Sequence, residues 1–347
     1  MNDQRNPFVR YVTIDEAGDC QRLDNFLKKT LKGAPPSLIY RVIRSGEVRV
    51  NGARARAETH LAVGDRLRIP PVRLSHGVEN RIAGIAPSPM KRAAMKNAAE
   101  IPVIFEDEWL LAVNKPAGLA VHGGSGVSFG VIEELRVKRS DCRFLELVHR
   151  LDRETSGVLL MAKKRAALTA LHALWREGAI EKYYALLVRG HWRDSKRKVA
   201  LPLLRTIAQN QERRVRVSEE GDAAETVFYR RDVWTLPEFS ATLLDAHLLT
   251  GRTHQIRVHA AHLGHPLAGD DKYGDFAWNK RLSEMGLSRM FLHARELTLI
   301  HPMTQAPITL TAELPFELSA FLQRLAEKTG ANQGAPVSRD DEKRRLK

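Results

Sequence analysis

The short polar segment LVHRLDRETSGVLLMAKK has the residue types that an acid–base or nucleophilic site needs. Asp152 lies between Arg150 and Arg153, immediately before an apolar stretch typical of a strand, and functional side chains often lie at such strand edges. The two arginines would keep the carboxylate ionised and could also attract a phosphate. From spacing alone, a solvated ion pair at a turn is the more common explanation, because clusters of charge usually face water.

A second polar cluster lies in the segment LLTGRTHQIRVHAAHLGHPLAGD. This segment places Arg252, His254 and Arg257 on or near one predicted helix, together with further histidines. His259 and His262 have an i, i+3 spacing, but the segment contains neither an HExxH motif nor a cysteine, so the ligand set of a zinc site is incomplete. Structural or RNA-contacting histidines are the preferred interpretation, and no metal site is predicted.

The glycine-rich stretch GGSG, residues 123–126, could cradle a phosphate. It lacks the Lys and Ser/Thr of a P-loop and the spacing of a dinucleotide fingerprint. A flexible turn is therefore the simpler interpretation.

Charge and composition indicate a nucleic-acid partner in a reducing compartment. The chain has 55 Lys and Arg against 41 Asp and Glu, a formal charge of +14, and such an excess favours a polyanion. Structural proteins of the ribosome share this signature, so charge alone names no chemistry. Cys20 and Cys142 are far apart and form no CxxC motif. No signal peptide and no apolar run of the ~20 residues that a membrane span requires are present, which predicts a cytoplasmic protein.

The elements that must position these residues form two parts. Residues 22–73 contain twelve Lys or Arg against four Asp or Glu, and their apolar spacing predicts two helices followed by a short strand pair. Further along, short apolar runs bounded by turn residues predict nine strands: VIFE, LLAVN, GVLLMAK, KYYALLV, RRVRV, TVFYR, FSATLLDAHL, FLHARELTLI and PITLTAEL. Helices are predicted near residues 128–138, 165–176, 253–263 and 315–327. Strands outnumber helices, which predicts an α+β domain on a mixed, mostly antiparallel sheet. The predicted order is an N-terminal extension (1–21), the basic module (22–70), a linker (71–100), the α+β domain (101–328) and a disordered tail (329–347).

Read together, the motifs resemble those of the RluA family of pseudouridine synthases. HRLDRETSG resembles the family's catalytic motif, EKYYALLVRG its second motif and TGRTHQIRVH its third, and FLHARELTLIHP resembles the strand that ends the core. NKPAGLAVHGGSGVSFGVIEEL matches the start of the catalytic core, and the basic module resembles an S4 RNA-binding domain. The resemblance covers roughly residues 20–325.

The resemblance implies a role for five residues, and it reverses the solvated-pair interpretation of the carboxylate. Asp152 would be the catalytic carboxylate, Tyr184 the active-site tyrosine and Arg257 the basic partner of the aspartate. Arg150 would help to displace the target base, and Leu292 would pack against it. Arg252 and His254 are expected to contact the substrate.

The implied reaction breaks the N-glycosidic bond of a uridine, rotates the uracil and joins C5 to the same C1′. Nothing is oxidised and no group is imported, so no cofactor is expected. Because a stacked base hides its glycosidic atoms, the uridine must be flipped out of the RNA. HGGSGVSFGVIE and FLELVHRLDRETSGVLL are closest to the type C branch of the family, which implies large-subunit (23S) ribosomal RNA as the partner of a monomeric enzyme.

Two other functions are compatible with parts of the pattern. A ribosomal RNA-binding protein of the S4 type could carry a second domain that no longer catalyses, although Asp152, Tyr184 and Arg257 are all present. A glycoside hydrolase also cleaves at an anomeric carbon, but no second acid stands out as a partner for Asp152.

Overall fold

The computed structural model describes residues 9–15, 18–19, 21–31, 34–72, 100–123, 129–140, 142–207 and 213–329. The predicted tail lies outside the described residues, apart from its first residue. So do nearly all of the predicted linker and most of the GGSG stretch.

The N-terminal part is a small four-stranded sheet packed on two helices. Leu23 and Leu27, one turn apart on the first helix, are fully buried and pack with Ile39 and Val42 of the second. Pro36 occupies the first turn of the second helix, where its missing N–H has no intrahelical acceptor. The elements are β1 (Arg10–Thr13), α1 (Leu23–Thr30), α2 (Pro36–Arg44), β2 (Arg49–Val50), β3 (Ala53–Arg54) and β4 (Arg66–Ile69). The strand order is β1-β4-β2-β3, with antiparallel pairs throughout, so β1 extends the sheet from the segment predicted as an N-terminal extension.

The second part alternates strands and helices. Its first elements are β5 (Val103–Glu106), β6 (Leu110–Lys115), α3 (Val131–Lys138), β7 (Glu146–Leu147), β8 (Ser156–Ala162), α4 (Arg165–Arg176), β9 (Glu181–Arg189), β10 (Lys196–Ala200), β11 (Leu203–Ile207) and β12 (Arg213–Val217). They are followed by β13 (Glu225–Leu236), β14 (Phe239–Leu248), α5 (Gln255–His262), α6 (Phe276–Glu284), β15 (Leu292–Ile300), β16 (Pro307–Thr311) and α7 (Phe316–Thr329).

Ten of these strands form one sheet. Its main order is β10-β13-β14-β9-β15-β8-β6-β5, with β16 added on β15 and β7 on β8, while β11 and β12 form a separate pair. Within the described residues, β15 runs parallel to β8 and the other pairs in this sheet are antiparallel. The predicted mixed, mostly antiparallel sheet is confirmed.

Strand β8 lies at the centre of the core, and all seven of its residues are buried. Val158 and Leu160 pack on the side covered by α4, whereas Leu159 and Met161 pack on the side covered by α3. A strand buried on both faces has a continuous apolar sequence rather than an alternating one. This explains the GVLLMA run that follows the polar segment around Asp152.

Helix α6 and strands β10 and β11 were not among the predicted elements. Helix α6 is capped by the Asp275 carboxylate, which accepts from the Trp278 backbone N–H at 2.8 Å. Only Trp278 and Leu282 of this helix are buried, and two apolar positions give too little periodicity for a prediction. Strand β10 buries only Val199. No helix in the described part of the chain is long and apolar enough to cross a membrane.

Candidate active site

Asp152 lies on the turn that leads from β7 into β8, and the buried ammonium of Lys115 holds this turn in place. The Nζ of Lys115 donates to the carbonyl oxygens of Arg153 at 3.0 Å, Pro116 at 2.8 Å and Leu119 at 2.8 Å. Burial, reinforced by the positive charge of Arg289, lowers the pKa of Lys115 to about 7. Its three carbonyl acceptors match the three N–H donors of an ammonium group.

Arg289 fixes the same turn from the other side. Its Nη2 donates to the carbonyl oxygen of Glu154 at 3.3 Å and to the hydroxyl of Ser156 at 2.8 Å. Ser156 is also 2.9 Å from the Nδ1 of His293 on β15. The backbone on the C-terminal side of Asp152 is therefore tied to β15 through buried polar side chains.

The carboxylate of Asp152 faces two side chains from the segment that begins α5. Its Oδ2 is 3.5 Å from the Nη1 of Arg257 and 3.8 Å from the Nε2 of His254. The side chain of Asp152 is 30% exposed, whereas that of Arg257 is 4% exposed. A partly exposed carboxylate thus rests against a buried cation, with an open side toward solvent.

Arg257 is itself held by a buried carboxylate. Its Nε and Nη2 each donate to Asp270 at 2.7 Å, a bidentate pair, and Nη2 is also 3.3 Å from Asp271. Asp270 further accepts the backbone N–H groups of Lys272 and Tyr273. Burial alone would raise the pKa of Asp270, but its bonds and ion pair with Arg257 lower it below the usual range. For Arg257, burial would lower the pKa, but the hydrogen bonds to Asp270 and the charges of Asp270, Asp152 and Asp271 outweigh burial and raise it.

His254 adopts a left-handed backbone conformation with φ 55° at the N-terminus of α5. Its Nδ1 is 2.8 Å from the hydroxyl of Tyr273, and that hydroxyl accepts the backbone N–H of Val215 at 3.0 Å. Burial lowers the pKa of His254, although the charge of Asp152 opposes this. In a neutral ring whose Nδ1 accepts from Tyr273, the Nε2 carries the proton and directs it toward Asp152.

Tyr184 lies on β9 between two small residues, Ala246 on β14 and Ala294 on β15. Its ring is half-buried and packs against the core cluster that contains Leu292. Burial and then the negative charge of Asp152 raise its pKa, so the phenol is protonated at neutral pH. Leu292, the first residue of β15, is buried at 4% exposure.

The other predicted site residues lie at different distances from the carboxylate. Arg150 is exposed two residues before Asp152, and its side chain has no partner among the described residues. The side chain of Arg252 is directed elsewhere, since its Nε donates to the carbonyl oxygen of Ala223 at 3.1 Å. The structure therefore brings Asp152, Arg257 and His254 together and does not place Arg252 against them within the described contacts.

His259, one of the two histidines with metal-like spacing, has both ring nitrogens engaged. Its Nδ1 is 3.0 Å from the Thr226 hydroxyl, and its Nε2 is 3.0 Å from the Leu201 carbonyl oxygen. This arrangement leaves neither nitrogen free to bind a metal ion.

Comparisons with known proteins identify the family. The family model for RNA pseudouridylate synthases matches residues 109–262, and the S4 domain model matches residues 21–67. A protein of Haemophilus influenzae named ribosomal large subunit pseudouridine synthase C is 48% identical over 322 residues, which cover 93% of this chain and 97% of the relative. The protein of the same name from Escherichia coli K12 is 49% identical over 316 residues, covering 90% and 95%. The chain belongs to the RNA pseudouridylate synthase family.

A solved structure supports the same fold for this RNA pseudouridylate synthase. Human RNA pseudouridylate synthase domain containing 4 aligns with a TM-score of 0.54 at 25% identity, covering 71% of this chain and 97% of the human chain. The motifs predicted a resemblance to the type C branch of the family. The two relatives named above, both called pseudouridine synthase C, confirm this prediction.

Four polar residues of this pseudouridylate synthase site were not predicted from its sequence: Lys115, Asp270, Tyr273 and Arg289. A partial signal for Asp270 exists, because the acidic pair in AGDDKYG follows the histidine- and arginine-rich helix closely. Lys115 and Arg289 act on backbone carbonyls far away in the sequence. A local sequence pattern cannot predict contacts between residues so far apart in the sequence.

Proposed function

We propose that this protein converts chosen uridines of large-subunit ribosomal RNA to pseudouridine and that Asp152 is the catalytic carboxylate. The relatives named above support the RNA substrate, since 48–49% identity extends over at least 90% of this chain. Ribosomal RNA as substrate also implies a cytoplasmic protein, and the proposal requires only a monomer, because Asp152, Arg257 and Tyr184 all belong to one chain.

The geometry of Asp152 carries the proposal. One oxygen, Oδ2, faces Arg257 and His254, while Oδ1 has no hydrogen-bond partner in the part of the chain that the structure describes. An ionised carboxylate with one anchored and one available oxygen suits attack on, or proton removal from, the sugar or base of a uridine. Arg257 holds this carboxylate in position.

Tyr184 fits a stacking role better than that of a free base. Its raised pKa keeps the hydroxyl protonated, so a phenolate is not available at neutral pH. The ring can stack on the flipped uracil, with Leu292 in the adjoining apolar cluster, and the hydroxyl can relay the C5 proton.

Arg150, His254 and Arg252 are proposed to contact the RNA in different ways. Arg150 is exposed beside the catalytic turn and is suited to occupy the space that the flipped base leaves. His254 presents its Nε2–H next to Asp152. Arg252 lies on the surface at the start of α5, where a phosphate contact is its simplest use.

The alternative functions are less well supported by this geometry. A silent RNA-binding protein would not need a partly exposed aspartate over a buried Arg257–Asp270 pair. For a glycoside hydrolase, Asp270 and Asp271 share Arg257 with Asp152, but Arg257 engages both of their carboxylates.

The substitution Asp152→Asn tests the proposal, because it keeps the shape of the side chain and removes its charge. We expect the release of tritium from C5-labelled uridine in large-subunit RNA to fall by at least about 10³-fold, the upper range for a positioned acid–base group. RNA binding and the thermal melting curve should be retained. Asp194→Asn, the same change at an exposed aspartate, provides the matched control.

Near-normal tritium release by Asp152→Asn would exclude the carboxylate mechanism. Mapping of pseudouridines in ribosomal RNA from cells with and without the gene would identify the modified positions. Unchanged maps would contradict the proposed substrate.

A further inference from the structure

The outer face of the four-stranded N-terminal sheet carries one row of aligned side chains. Tyr11 on β1 is opposite Arg68 on β4, Arg68 is opposite Arg49 on β2, and Arg49 is opposite Arg54 on β3. Since neighbouring strands lie ~4.8 Å apart, this row crosses the whole sheet in about 15 Å. We call these four residues the sheet-face row. Leu67, which alternates with Arg68 on β4, is buried on the opposite face.

The three arginines of the sheet-face row are held by backbone carbonyls rather than by acids. Arg49 donates to the carbonyl oxygens of Gly46 at 3.3 Å and Gly52 at 3.2 Å. Arg54 donates to that of Ser45 at 3.1 Å, and Arg68 donates to that of Glu47 at 2.5 Å. Within the described ranges, none of the three forms an ion pair with a carboxylate.

Like charges on directly opposite strand positions repel each other. Three guanidinium groups in neighbouring register positions therefore favour an anion with several charges. Glu47 also lines this surface, and its carboxylate accepts from the Ser45 hydroxyl at 2.7 Å. The arrangement is thus fixed in position while its positive charge remains available.

An aromatic ring ends the row. Tyr11 is 57% exposed, and the guanidinium of Arg66 lies 4.5 Å from the centre of its ring. Tyr11, Arg49, Arg66 and Arg68 line a cavity of about 920 Å³ together with the turns at residues 45–47 and 51–52. A flat ring beside a line of cations in a concave surface is the combination with which proteins hold single-stranded nucleic acid.

We infer that this sheet face binds an unpaired segment of the substrate RNA. One base stacks on Tyr11 and Arg66, and the adjoining phosphates lie along Arg68, Arg49 and Arg54. The inference rests on the proposed function only in taking RNA as the partner. It also goes beyond the S4 match, which begins at residue 21, because Tyr11 comes from a strand that precedes the matched segment.

Binding of a fluorescein-labelled, short single-stranded RNA of mixed sequence to the full-length protein tests the inference, with the same RNA annealed to its complement for comparison. Tyr11→Thr removes the ring but keeps a good strand former, and it should weaken single-strand binding about tenfold, the effect of one base–aromatic stack. Tyr11→Phe should bind as the wild type does. Duplex binding should be unchanged by Tyr11→Thr.

Arg49→Gln tests the phosphate contacts. It should lower the slope of log affinity against log salt by about 0.7, the value for one phosphate contact on a single strand. Lys328→Gln removes the same unit charge from an exposed position at the end of α7 and should leave the slope unchanged. Circular dichroism and thermal melting verify that each variant is folded.

Three results would overturn the inference. The first is equal single-strand affinity for wild type and Tyr11→Thr, and the second is a loss of affinity in Tyr11→Thr that is as large for the duplex as for the single strand. The third is an equal salt slope for Arg49→Gln and Lys328→Gln. On large-subunit RNA, Tyr11→Thr should raise KM for tritium release and leave kcat unchanged, and a lowered kcat would also contradict it. If the wild type releases no tritium from any RNA, the proposed function fails, while oligonucleotide binding still decides this inference.

Discussion

At the scale of single residues, Arg257 links the candidate active site to the core. Its guanidinium faces three carboxylates: buried Asp270 through two short bonds, and Asp152 and Asp271 at longer distances. The bidentate pair fixes the plane of the guanidinium, and this plane leaves Nη1 directed at Asp152. The orientation of the Asp152 carboxylate by Arg257 therefore depends on the orientation of Arg257 by Asp270.

This dependence predicts different effects at two adjacent aspartates. Asp270→Asn leaves Arg257 buried without its compensating charge, which should lower the free energy of unfolding by about 3 kcal/mol and lower kcat with little change in KM. Asp271→Asn is the matched control, because Asp271 is 73% exposed. This substitution should lower the free energy of unfolding by no more than about 0.5 kcal/mol. Urea denaturation and tritium release measure the two effects. Equal losses at both positions would contradict the anchoring role of Asp270.

At the scale of elements, the parallel contact between β8 and β15 brings the turn that carries Asp152 next to Tyr184 and Leu292. His293 and Ala294 of β15 pair with Ser156 and Gly157 of β8. Gly157 has φ +114°, and a Cβ at this position would lie 2.2 Å from the carbonyl oxygen of Ala294. The strands can approach this closely only because residue 157 lacks a side chain.

Gly157→Ala should therefore destabilise the protein far more than an ordinary glycine substitution. The backbone of Ala294 must move, and we expect a loss of more than about 3 kcal/mol in unfolding free energy together with loss of activity. Gly178→Ala is the matched control. Gly178 also has positive φ, +73°, but no atom lies within 4 Å of the added Cβ. Gly178→Ala should therefore lower the free energy of unfolding by about 1 kcal/mol. Similar urea midpoints for the two variants would contradict the close-approach argument.

The elements that could be predicted from sequence are those with a clear apolar period. Strands β5, β12 and β14 and helix α4 lie where the sequence placed them, because their apolar runs end at turn residues. Strand β10 and helix α6 bury too few side chains to leave a period. The resemblance supplied Asp152, Tyr184 and Arg257, but Asp270 and Lys115 act through long-range contacts that depend on the folded sheet. The expected place of Arg252 in the site stays a prediction.

At the scale of the whole molecule, two buried histidines couple stability to pH. His149 stacks on Trp175 with ring centres 4.7 Å apart, and its Nε2 accepts the backbone N–H of Leu160. His293 lies between the Ser156 hydroxyl and the Ala312 carbonyl oxygen. Burial lowers the pKa of each histidine to about 4. Both rings are therefore neutral in the folded protein at pH 7.

Each histidine should make the protein less stable in acid. The pKa in the unfolded chain is about 6.5, so the unfolded state takes up protons first, and stability is fully present above pH 6.5 and lost as pH falls toward 4. At pH 5 the free energy of unfolding should be lower than at pH 7 by about 2 kcal/mol for each histidine. Urea denaturation at several pH values measures it. His149→Gln should be less stable at pH 7 but show a shallower pH dependence, and an unchanged pH dependence would contradict this account.

The two parts of the molecule have separate cores. Each described hydrophobic cluster lies either within residues 12–72 or within residues 101–326. Contacts between the parts include the exposed pair of Lys29 and Glu146 at 3.2 Å, and such pairs contribute about 0–1 kcal/mol. The second part should therefore fold without the first, as the predicted boundary in residues 71–100 requires.

Deletion of residues 1–71 should consequently separate RNA affinity from chemistry. The proposed catalytic residues and their buried partners all lie after residue 110. We therefore expect kcat at saturating RNA to stay within about threefold, since no proposed transition-state contact is removed. The deleted part includes the basic module, so RNA affinity should fall, and the salt slope should decrease by at least about 2, which corresponds to about three phosphate contacts on a single strand. Tritium release at varied RNA and salt concentrations measures both quantities. An unchanged slope would show that the N-terminal part does not bind RNA, and a truncated chain without a cooperative melting transition would show that the two cores depend on each other.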